Sequence, residues 1–307
     1  MSTSSPLQPD PSVIGGISKA AFAFLPSPER LFSERAKRLD VLAQGSRLAP
    51  YLEFLAGLSR IQAELASSLP PVEAIPTQQV ERARESAMPP LDRLAMAAQP
   101  GYRQTIRNFL EAAEGLAKPA AAAAALEELR AADAETMDWI IGNVMADSLP
   151  AESLAHHLYL YAATQVHASR IAARLDAARL VPIRVGICPV CGGRPVASMV
   201  VGVPGSEGAR YGCCSFCMTR WNEVRIKCLA CGSTEGIGYR AVEVAEEDAT
   251  VKAEVCDTCH SWVKILYQNK NPSLEPIADD VASVGLDMLM KDTEYRRAGF
   301  NPFLMGY

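Results

Sequence analysis

The stretch Cys188-Pro-Val-Cys-Gly decides the fold, because a matching stretch, Cys228-Leu-Ala-Cys-Gly, begins 40 residues later. Each is followed by a second Cys-x-x-Cys pair, at 214–217 after the first and at 256–259 after the second. A short turn between paired cysteines can aim both sulfurs at one metal ion, at about 2.3 Å. Because four thiolates complete a tetrahedral site, the four pairs predict two metal sites.

The spacing of the pairs indicates one metal-binding ribbon used twice. The second pairs are 42 residues apart, and a tryptophan follows each of them, Trp221 and Trp262. Strand-like residues between the pairs predict a hairpin in each unit. Tandem pairing gives two ligand sets, although interleaved pairing stays open at this stage. The predicted ligands are Cys188, Cys191, Cys214 and Cys217 in site 1, and Cys228, Cys231, Cys256 and Cys259 in site 2.

The spacing of the cysteines alone does not identify the metal or its role. Zinc and iron both accept four thiolates in a tetrahedron. The ion could stabilise the fold of a ribbon that has only a small hydrophobic core, or it could act as a redox-responsive iron site. Thioredoxin-like chemistry would need a pair that opens a helix, whereas these pairs adjoin glycines and strands. The ninth cysteine, Cys213, is interpreted as a non-ligand thiol because its neighbour Cys214 makes a chelate awkward.

Composition places limits on function. The 307 residues are 49% hydrophobic and 21% charged, which is ordinary for a globular protein of two domains. A net charge of −5 argues against a dedicated nucleic-acid binder. Residues 181–231 carry six basic and two acidic side chains, whereas 232–260 carry two basic and seven acidic ones. The two ribbons would therefore present faces of opposite charge.

The N-terminal stretch has neither a charged region nor an apolar core of the secretory type, and no run of residues is long enough to span a bilayer. A cytoplasmic protein without membrane insertion is expected. A reducing compartment also favours thiolate metal sites over disulfides.

The hydrophobic pattern predicts an α+β protein with an all-α bundle, two tandem rubredoxin-like or zinc-ribbon modules, and a C-terminal helix. Helical periodicity runs from Ser27-Pro-Glu, a typical helix start, to an amphipathic helix over 151–180. Asp279 or Asp280 could cap the C-terminal helix. The predicted divisions are a flexible arm at 1–26, the bundle at 27–181, the first ribbon at 182–227, the second ribbon at 228–270, and the C-terminal helix and tail at 271–307.

Residues around the cysteines are candidates for docking or for tuning the metal sites. Four arginines surround the first site and could contact phosphates or a protein partner, form a solvated face, or form salt bridges to the acidic second ribbon. The tryptophans could be local core or partner anchors, and His260 could hydrogen-bond near a ligand sulfur. The candidates are Arg194, Arg210, Arg220, Trp221, Arg225, His260 and Trp262.

Together these stretches resemble the FdhE family, the formate dehydrogenase accessory proteins. The resemblance rests on 188–195, Cys-Pro-Val-Cys-Gly-Gly-Arg-Pro, on 210–221, on 225–232 and on 253–259, with tail matches at 279–287 and 301–304. Phe24-Leu-Pro near the start also fits, so the resemblance spans nearly the whole chain. The order of the four cysteine pairs with these neighbours is specific, whereas the helical half alone is not.

The resemblance implies a cytoplasmic protein that is not an enzyme. It would serve the maturation of respiratory formate dehydrogenase by binding the catalytic subunit, and would hold rubredoxin-type iron in its two sites. Zinc is the alternative metal. Two other functions are weighed against this one: a rubredoxin-type electron-transfer protein and a zinc-ribbon protein that binds nucleic acid.

Overall fold

The protein, in a computed structural model, is described over residues 20–242 and 249–304. Helices fill the first half and strands the second, so the predicted α+β class is confirmed. The helices are α1 Pro28–Ala43, α2 Ala49–Ser68, α3 Thr77–Glu85, α4 Arg93–Ala97, α5 Pro100–Ala112, α6 Ala120–Ala131, α7 Ala134–Met145, α8 Leu154–Ala172, α9 Pro276–Ala282 and α10 Val284–Lys291. The strands are β1 Ala23–Phe24, β2 Pro195–Val200, β3 Arg210–Cys214, β4 Arg220–Glu223, β5 Ile237–Arg240, β6 Val251–Cys256, β7 Ser261–Tyr267 and β8 Arg296–Arg297.

Helix α8 forms the centre of the bundle. Every residue from His157 to Ala172 is buried except Arg170, and α2, α5, α6 and α7 all pack against it. The predicted amphipathic helix over 151–180 is therefore wrong in character and in length. A helix that is surrounded needs no polar face, and its buried polar side chains are paired locally instead. Thr164, for example, hydrogen-bonds Tyr102 at 2.8 Å.

The strands form one continuous sheet, in the order β1-β4-β3-β2-β7-β6-β5, with β8 added beside β7. Each ribbon supplies three antiparallel strands, β2–β4 and β5–β7. The two ribbons meet through β2 and β7, which are parallel. In the duplication β7 corresponds to β4, and β4 also runs parallel to β2 within the first ribbon. The second ribbon is therefore placed as a translated copy of the first.

The arm predicted to be flexible joins this sheet at its last residues. Ala23 and Phe24 pair with Trp221 and Arg220 of β4, and the Phe24 ring lies 4.8 Å from that of Tyr211. The prediction for 20–26 is thus wrong, because the open edge of β4 offers backbone groups that a passing segment can pair with. Residues 1–19 of the predicted arm lie outside the described residues.

The C-terminal region differs from the single helix predicted for it. Two short helices, α9 and α10, are separated at Ser283, and the chain then forms β8. The N-cap of α9 is Glu275, whose carboxylate accepts from the backbone N–H groups of Ile277 and Ala278. Neither Asp279 nor Asp280 is the cap. The tail packs on the body, where Phe303 is buried and its carbonyl accepts a hydrogen bond from Tyr51.

Two hydrophobic clusters hold the sheet. The large one runs without a break from the bundle into the first ribbon and includes the four cysteines of its site. The small one joins the second ribbon to α10 through Ala253, Val255, Trp262, Leu286 and Met290. Among the described helices, none combines the length and apolar composition that a bilayer crossing requires.

Candidate metal centres

The first pair of each ribbon forms the same turn. The backbone N–H of Gly192 donates to the carbonyl of Cys188 at 3.0 Å, and that of Gly232 donates to Cys228 at 2.9 Å. Both glycines have positive φ, 71° and 83°, which only glycine adopts without a steric cost. The repeated Cys-x-x-Cys-Gly motif thus encodes two identical knuckles.

The second pair of each ribbon ends in the same backbone conformation without a glycine. Met218, after Cys217, has φ 64°, and His260, after Cys259, has φ 50°. These two residues occupy the position that Gly192 fills in the first knuckle. Left-handed conformations cost non-glycine residues about 1 kcal/mol or more. The four turns therefore share one geometry, and two of them carry strain.

The sulfurs form two groups that match the tandem ligand sets. Within each group of four the sulfurs all lie within 4.8 Å of one another. In site 1 Cys188 Sγ lies 3.6 Å from Cys217 Sγ, and in site 2 Cys228 Sγ lies 3.7 Å from Cys259 Sγ. Bonds of about 2.3 Å to a tetrahedral ion place ligand sulfurs about 3.8 Å apart. Both groups could therefore hold a metal ion, whereas a disulfide would need about 2 Å.

Backbone donors point at the sulfurs in both sites. In the first, Phe216 N and Cys217 N lie 3.3 and 3.4 Å from Cys214 Sγ. In the second, Ala230 N lies 3.3 Å from Cys228 Sγ. Such hydrogen bonds stabilise thiolate rather than thiol, which is the form that binds metal. The donor sets thus fit a thiolate-bound ion. Iron held by four thiolates could exchange one electron, whereas zinc held in the same way would act as a structural cross-link.

An arginine from the bundle lies against site 1 and was not predicted. Arg93 of α4 donates through Nε to the Cys191 carbonyl at 3.1 Å and through Nη1 to the Met145 carbonyl at 3.0 Å, and it forms an ion pair with Asp147 at 3.0 Å. Its guanidinium stacks 4.0 Å from the Phe216 ring centre. The contact joins residues 98 positions apart, and no local motif marks it.

The remaining nitrogen of Arg93 tests whether site 1 fits an anionic thiolate cluster. Nη2 is buried and has no hydrogen-bond partner among the described residues. It lies over Gly193, where a Cβ would collide with it and would be 3.2 Å from Cys191 Sγ. A buried cationic donor is satisfied by a nearby anion. Burial would lower the pKa of Arg93, but the charges of Cys191 and Asp147 raise it.

The same charge acts on the thiol. Burial would raise the pKa of Cys191, but hydrogen bonds from the other cysteines and the Arg93 charge lower it well below its usual range. Arg93 therefore helps to favour the thiolate form of Cys191, whereas burial raises the pKa values of Cys188 and Cys214 well above their usual range.

A second link between the bundle and site 1 runs through Arg35. This fully buried side chain on α1 donates to Gln165 of α8, to Glu275, and to the sulfur of Met218, which follows Cys217. Gln165 in turn donates to the carbonyl of Ser215, inside the second knuckle, at 2.8 Å. The bundle therefore forms hydrogen bonds to both knuckles of site 1.

Site 2 is more open. Cys228 and Cys256 are buried, but Cys259 is half-buried and Cys231 is exposed. Its supports come from the C-terminal region: Tyr295 donates to Asp257 at 2.6 Å. Beneath this ribbon, buried Lys264 of β7 pairs with Asp280 and Asp287, and Arg297 pairs with the same two carboxylates. The C-terminal segment thus anchors the ribbon but leaves one edge of its sulfur cluster accessible.

Of the four arginines predicted for docking, Arg210 is buried, Arg220 is half-buried, and Arg194 and Arg225 are exposed. Arg210 has no exposed side-chain surface and pairs with Glu254 of the second ribbon at 2.8 Å. Of the alternatives raised for this residue, the salt bridge to the acidic second ribbon is the one that the structure shows, so Arg210 is not available for docking. Arg194 stacks on Phe300, 4.5 Å from the ring centre, and Arg220 lies in a cavity wall. Arg225 is exposed.

The two tryptophans are buried, but they do not occupy equivalent places. Trp221 pairs in register with Gly212, and its ring fills the space a Cβ would need there. Trp262 pairs with Val255 and packs against α10. Trp221 follows Cys217 by four residues, whereas Trp262 follows Cys259 by three. Because side chains alternate between the faces of a strand, this difference of one residue puts the two tryptophans on opposite faces of the sheet. Both are core residues and neither is an exposed partner anchor.

His260 and Cys213 do not join the sulfur groups. The His260 ring lies 3.1 Å from Glu294 and is mostly exposed, so its role in the structure is that of a strained turn residue. Cys213 is buried outside both groups, and burial raises the pKa of its thiol to about 12.

Comparisons with known proteins agree along the whole described chain. Family models match in order: "FdhE, N-terminal" at 20–185, "FdhE, central domain" at 187–225 and "FdhE, C-terminal domain" at 226–304. A "Protein FdhE homolog" of Rhizobium meliloti is 68% identical over 99% of both chains. "Protein FdhE" of Escherichia coli K12 is 31% identical over 91% of this chain and 89% of its own. The crystal structure of the FdhE protein from Pseudomonas aeruginosa matches with a TM-score of 0.81 and 32% identity, over 92% of this chain and 98% of the other.

Proposed function

We propose, from the premise that this chain belongs to the FdhE family, that it is a cytoplasmic accessory factor for the maturation of respiratory formate dehydrogenase. The carrying observation is that all three FdhE models match in order, with both four-cysteine groups assembled. In this role the chain binds the catalytic subunit of the dehydrogenase and is not itself an enzyme. The eight cysteines hold two metal ions, with rubredoxin-type iron favoured by the family resemblance.

The proposed docking surface is the exposed linker that leads from the first ribbon into site 2. Val224 and Ile226 are 57% and 62% exposed, and Arg225 between them is exposed as well. The linker ends at Cys228, so it lies beside the open site. Two apolar side chains around an arginine have the composition of an interface anchor.

Co-purification tests this proposal. A tagged full-length chain should retain the formate dehydrogenase catalytic subunit, and Ile226→Glu should weaken that retention about tenfold or more by placing a charge in the interface. The matched control is Val41→Glu on α1, where an equally exposed apolar residue, 55% accessible, belongs to the helical bundle rather than to a ribbon. No enrichment of the subunit by the unaltered chain would overturn the role, and equal retention by both variants would overturn the docking surface.

Electron transfer is the second candidate, and the exposure of Cys231 favours it. An exposed sulfur at the edge of an iron centre brings a redox partner close to the metal. The freshly purified protein would then show thiolate-to-iron absorption that bleaches reversibly on reduction. A colourless protein with two zinc ions per chain would exclude this function and leave the docking role standing.

A further inference from the structure

A cavity of about 360 Å³ lies where the bundle, the first ribbon and the segment before α9 meet. It is separate from the sulfur clusters but shares Cys213 and Cys214 as part of its wall. Its volume is within the range of small-molecule sites, at the lower end. The cavity is therefore large enough for a small ligand or for one or two side chains of a partner.

The walls combine apolar and polar side chains in nearly equal measure. Phe24 and Leu25 of the strand-forming arm, Leu31 of α1, and Leu274 and Ile277 beside α9 line it. Leu274 and Ile277 are buried, and the other three are half-buried. The apolar part of an occupant would pack against these five side chains.

The carboxylates in the cavity are already paired. Glu34 forms an ion pair with Arg30 at 2.7 Å, and Glu275 pairs with Arg35 at 3.0 Å while it caps α9. These four side chains add no net charge to the cavity.

Arg220 is the remaining charged side chain of the wall, and it has no carboxylate partner among the described residues. Its contacts are the sulfur of Met199, 3.8 Å from Nη1, and the Phe24 ring, 5.7 Å from the guanidinium. A thioether is a weak acceptor and an aromatic ring accepts no full hydrogen bond. The guanidinium therefore keeps donors that a planar anion can take in a two-point contact.

We propose that this cavity binds a carboxylate carried on a short apolar chain, with Arg220 holding the carboxylate. One uncompensated positive charge suits a singly charged anion better than a phosphate dianion. Arg220 pairs in register with Cys213, so a bound carboxylate would lie beside the strand that delivers Cys214 to site 1. The occupant would be either a free carboxylate or an acidic residue with apolar neighbours on a partner.

Calorimetric titration of the isolated full-length chain with hexanoate tests the site. Saturable binding of hexanoate is expected. Hexanamide, which lacks the charge, should bind with an affinity at least about tenfold lower, because a charge-assisted hydrogen bond is lost. Arg220→Gln should lose hexanoate binding by a similar factor, whereas Arg220→Lys should keep only part of it, because an ammonium keeps the charge but not the two-point contact. The matched control is Arg240→Gln, which removes one exposed positive charge of the same sheet outside the cavity.

Circular dichroism checks that each variant folds, and Val203→Phe supplies an independent variant that fills the cavity without changing its charge. Loss of binding in both Arg220→Gln and Val203→Phe supports the site. Absence of saturable binding to the unaltered chain, or equal binding by Arg220→Gln and the Arg240 control, would overturn it.

The source of the carboxylate is settled by competition. Excess hexanoate that displaces the dehydrogenase subunit from the chain assigns the carboxylate to the partner, and retention of the subunit assigns it to a free ligand. The titration uses the isolated chain, so its result is independent of whether the chain binds formate dehydrogenase.

Discussion

The two four-cysteine centres have the same knuckles but opposite surroundings. In site 1 all four cysteines are at most 3% exposed, and the helical bundle contacts both knuckles. In site 2 Cys231 is exposed and Cys259 is half-buried, and the support comes from below, through the C-terminal segment. The duplicated motif therefore fixes the chelate, while the neighbouring elements decide how each centre is used.

This difference has an electrostatic cause. Four thiolates around a divalent or trivalent ion leave a net negative charge, and burying that charge is costly unless a cation compensates it. Site 1 receives Arg93 from the bundle for this purpose. Site 2 has an edge in contact with water, which solvates the same charge. We infer that site 1 is the joint between bundle and sheet, and that site 2 is free to serve a partner.

Removing a ligand should have the largest and most unequal effect. A four-thiolate zinc site contributes about 10 kcal/mol or more to the folding of small ribbons, comparable with the whole stability of a domain. Cys188→Ser should therefore abolish cooperative unfolding of the chain, whereas Cys231→Ser should leave the helical bundle folded with one metal per chain. Thermal melts followed by circular dichroism, with metal analysis, measure both.

Cys213→Ala is the control for these variants, because it removes a buried cysteine that belongs to neither sulfur group. It should keep two metals per chain. Loss of one metal in this variant would contradict the ligand assignment.

Removing Arg93 should destabilise site 1 alone, and by less than the removal of a cysteine ligand does. Arg93→Met breaks a buried ion pair and leaves Asp147 and the thiolates uncompensated, which should lower the free energy of unfolding by about 3 kcal/mol. Arg103→Met removes an arginine of the same bundle that pairs with Asp138 at the surface, and should cost less than about 1 kcal/mol. Urea unfolding of both variants measures the difference, and equal losses would remove the role assigned to Arg93.

The smallest predicted effect has opposite signs in the two centres. His260→Gly relieves a positive φ at an exposed turn and should stabilise the protein by up to about 1 kcal/mol. Met218→Gly relieves the same strain but removes a buried side chain whose sulfur accepts from Arg35, and should destabilise it by about 1 kcal/mol or more. Unfolding midpoints in urea give both signs. Stabilisation by both changes would mean that the packing around site 1 is not as tight as described.

The sequence predicted the parts of the sheet that are encoded locally. Cys-x-x-Cys-Gly specifies a knuckle through one positive φ, and strand-like residues between the cysteine pairs indicate the β2–β3 hairpin. The sheet between the ribbons was not predictable in the same way, because the parallel pairing of β2 with β7 joins residues more than 60 positions apart. The duplication indicates two similar ribbons but does not fix how one is oriented against the other.

Other features left no usable signal in the sequence. Helix α3 buries only Val80 and Ala83, so it lacks the apolar stripe that marks a helix. Arg93 looks like any surface arginine of a helical segment until the bundle folds against the first ribbon. The opposite charges of the two ribbons raised a salt bridge between them as one alternative for the arginines of the first ribbon, but they could not single out Arg210 and Glu254 as the pair.

Metal release to a chelator tests the inequality of the two centres most directly. Under native conditions a colorimetric chelator should remove one equivalent per chain in a fast phase and the second at least about tenfold more slowly, since site 1 opens only when the bundle detaches locally. In Cys231→Ser the fast phase should disappear and the slow one remain. Release of both equivalents in a single phase, or a fast phase that persists in Cys231→Ser, would contradict the assignment of site 1 as the buried joint and site 2 as the accessible centre.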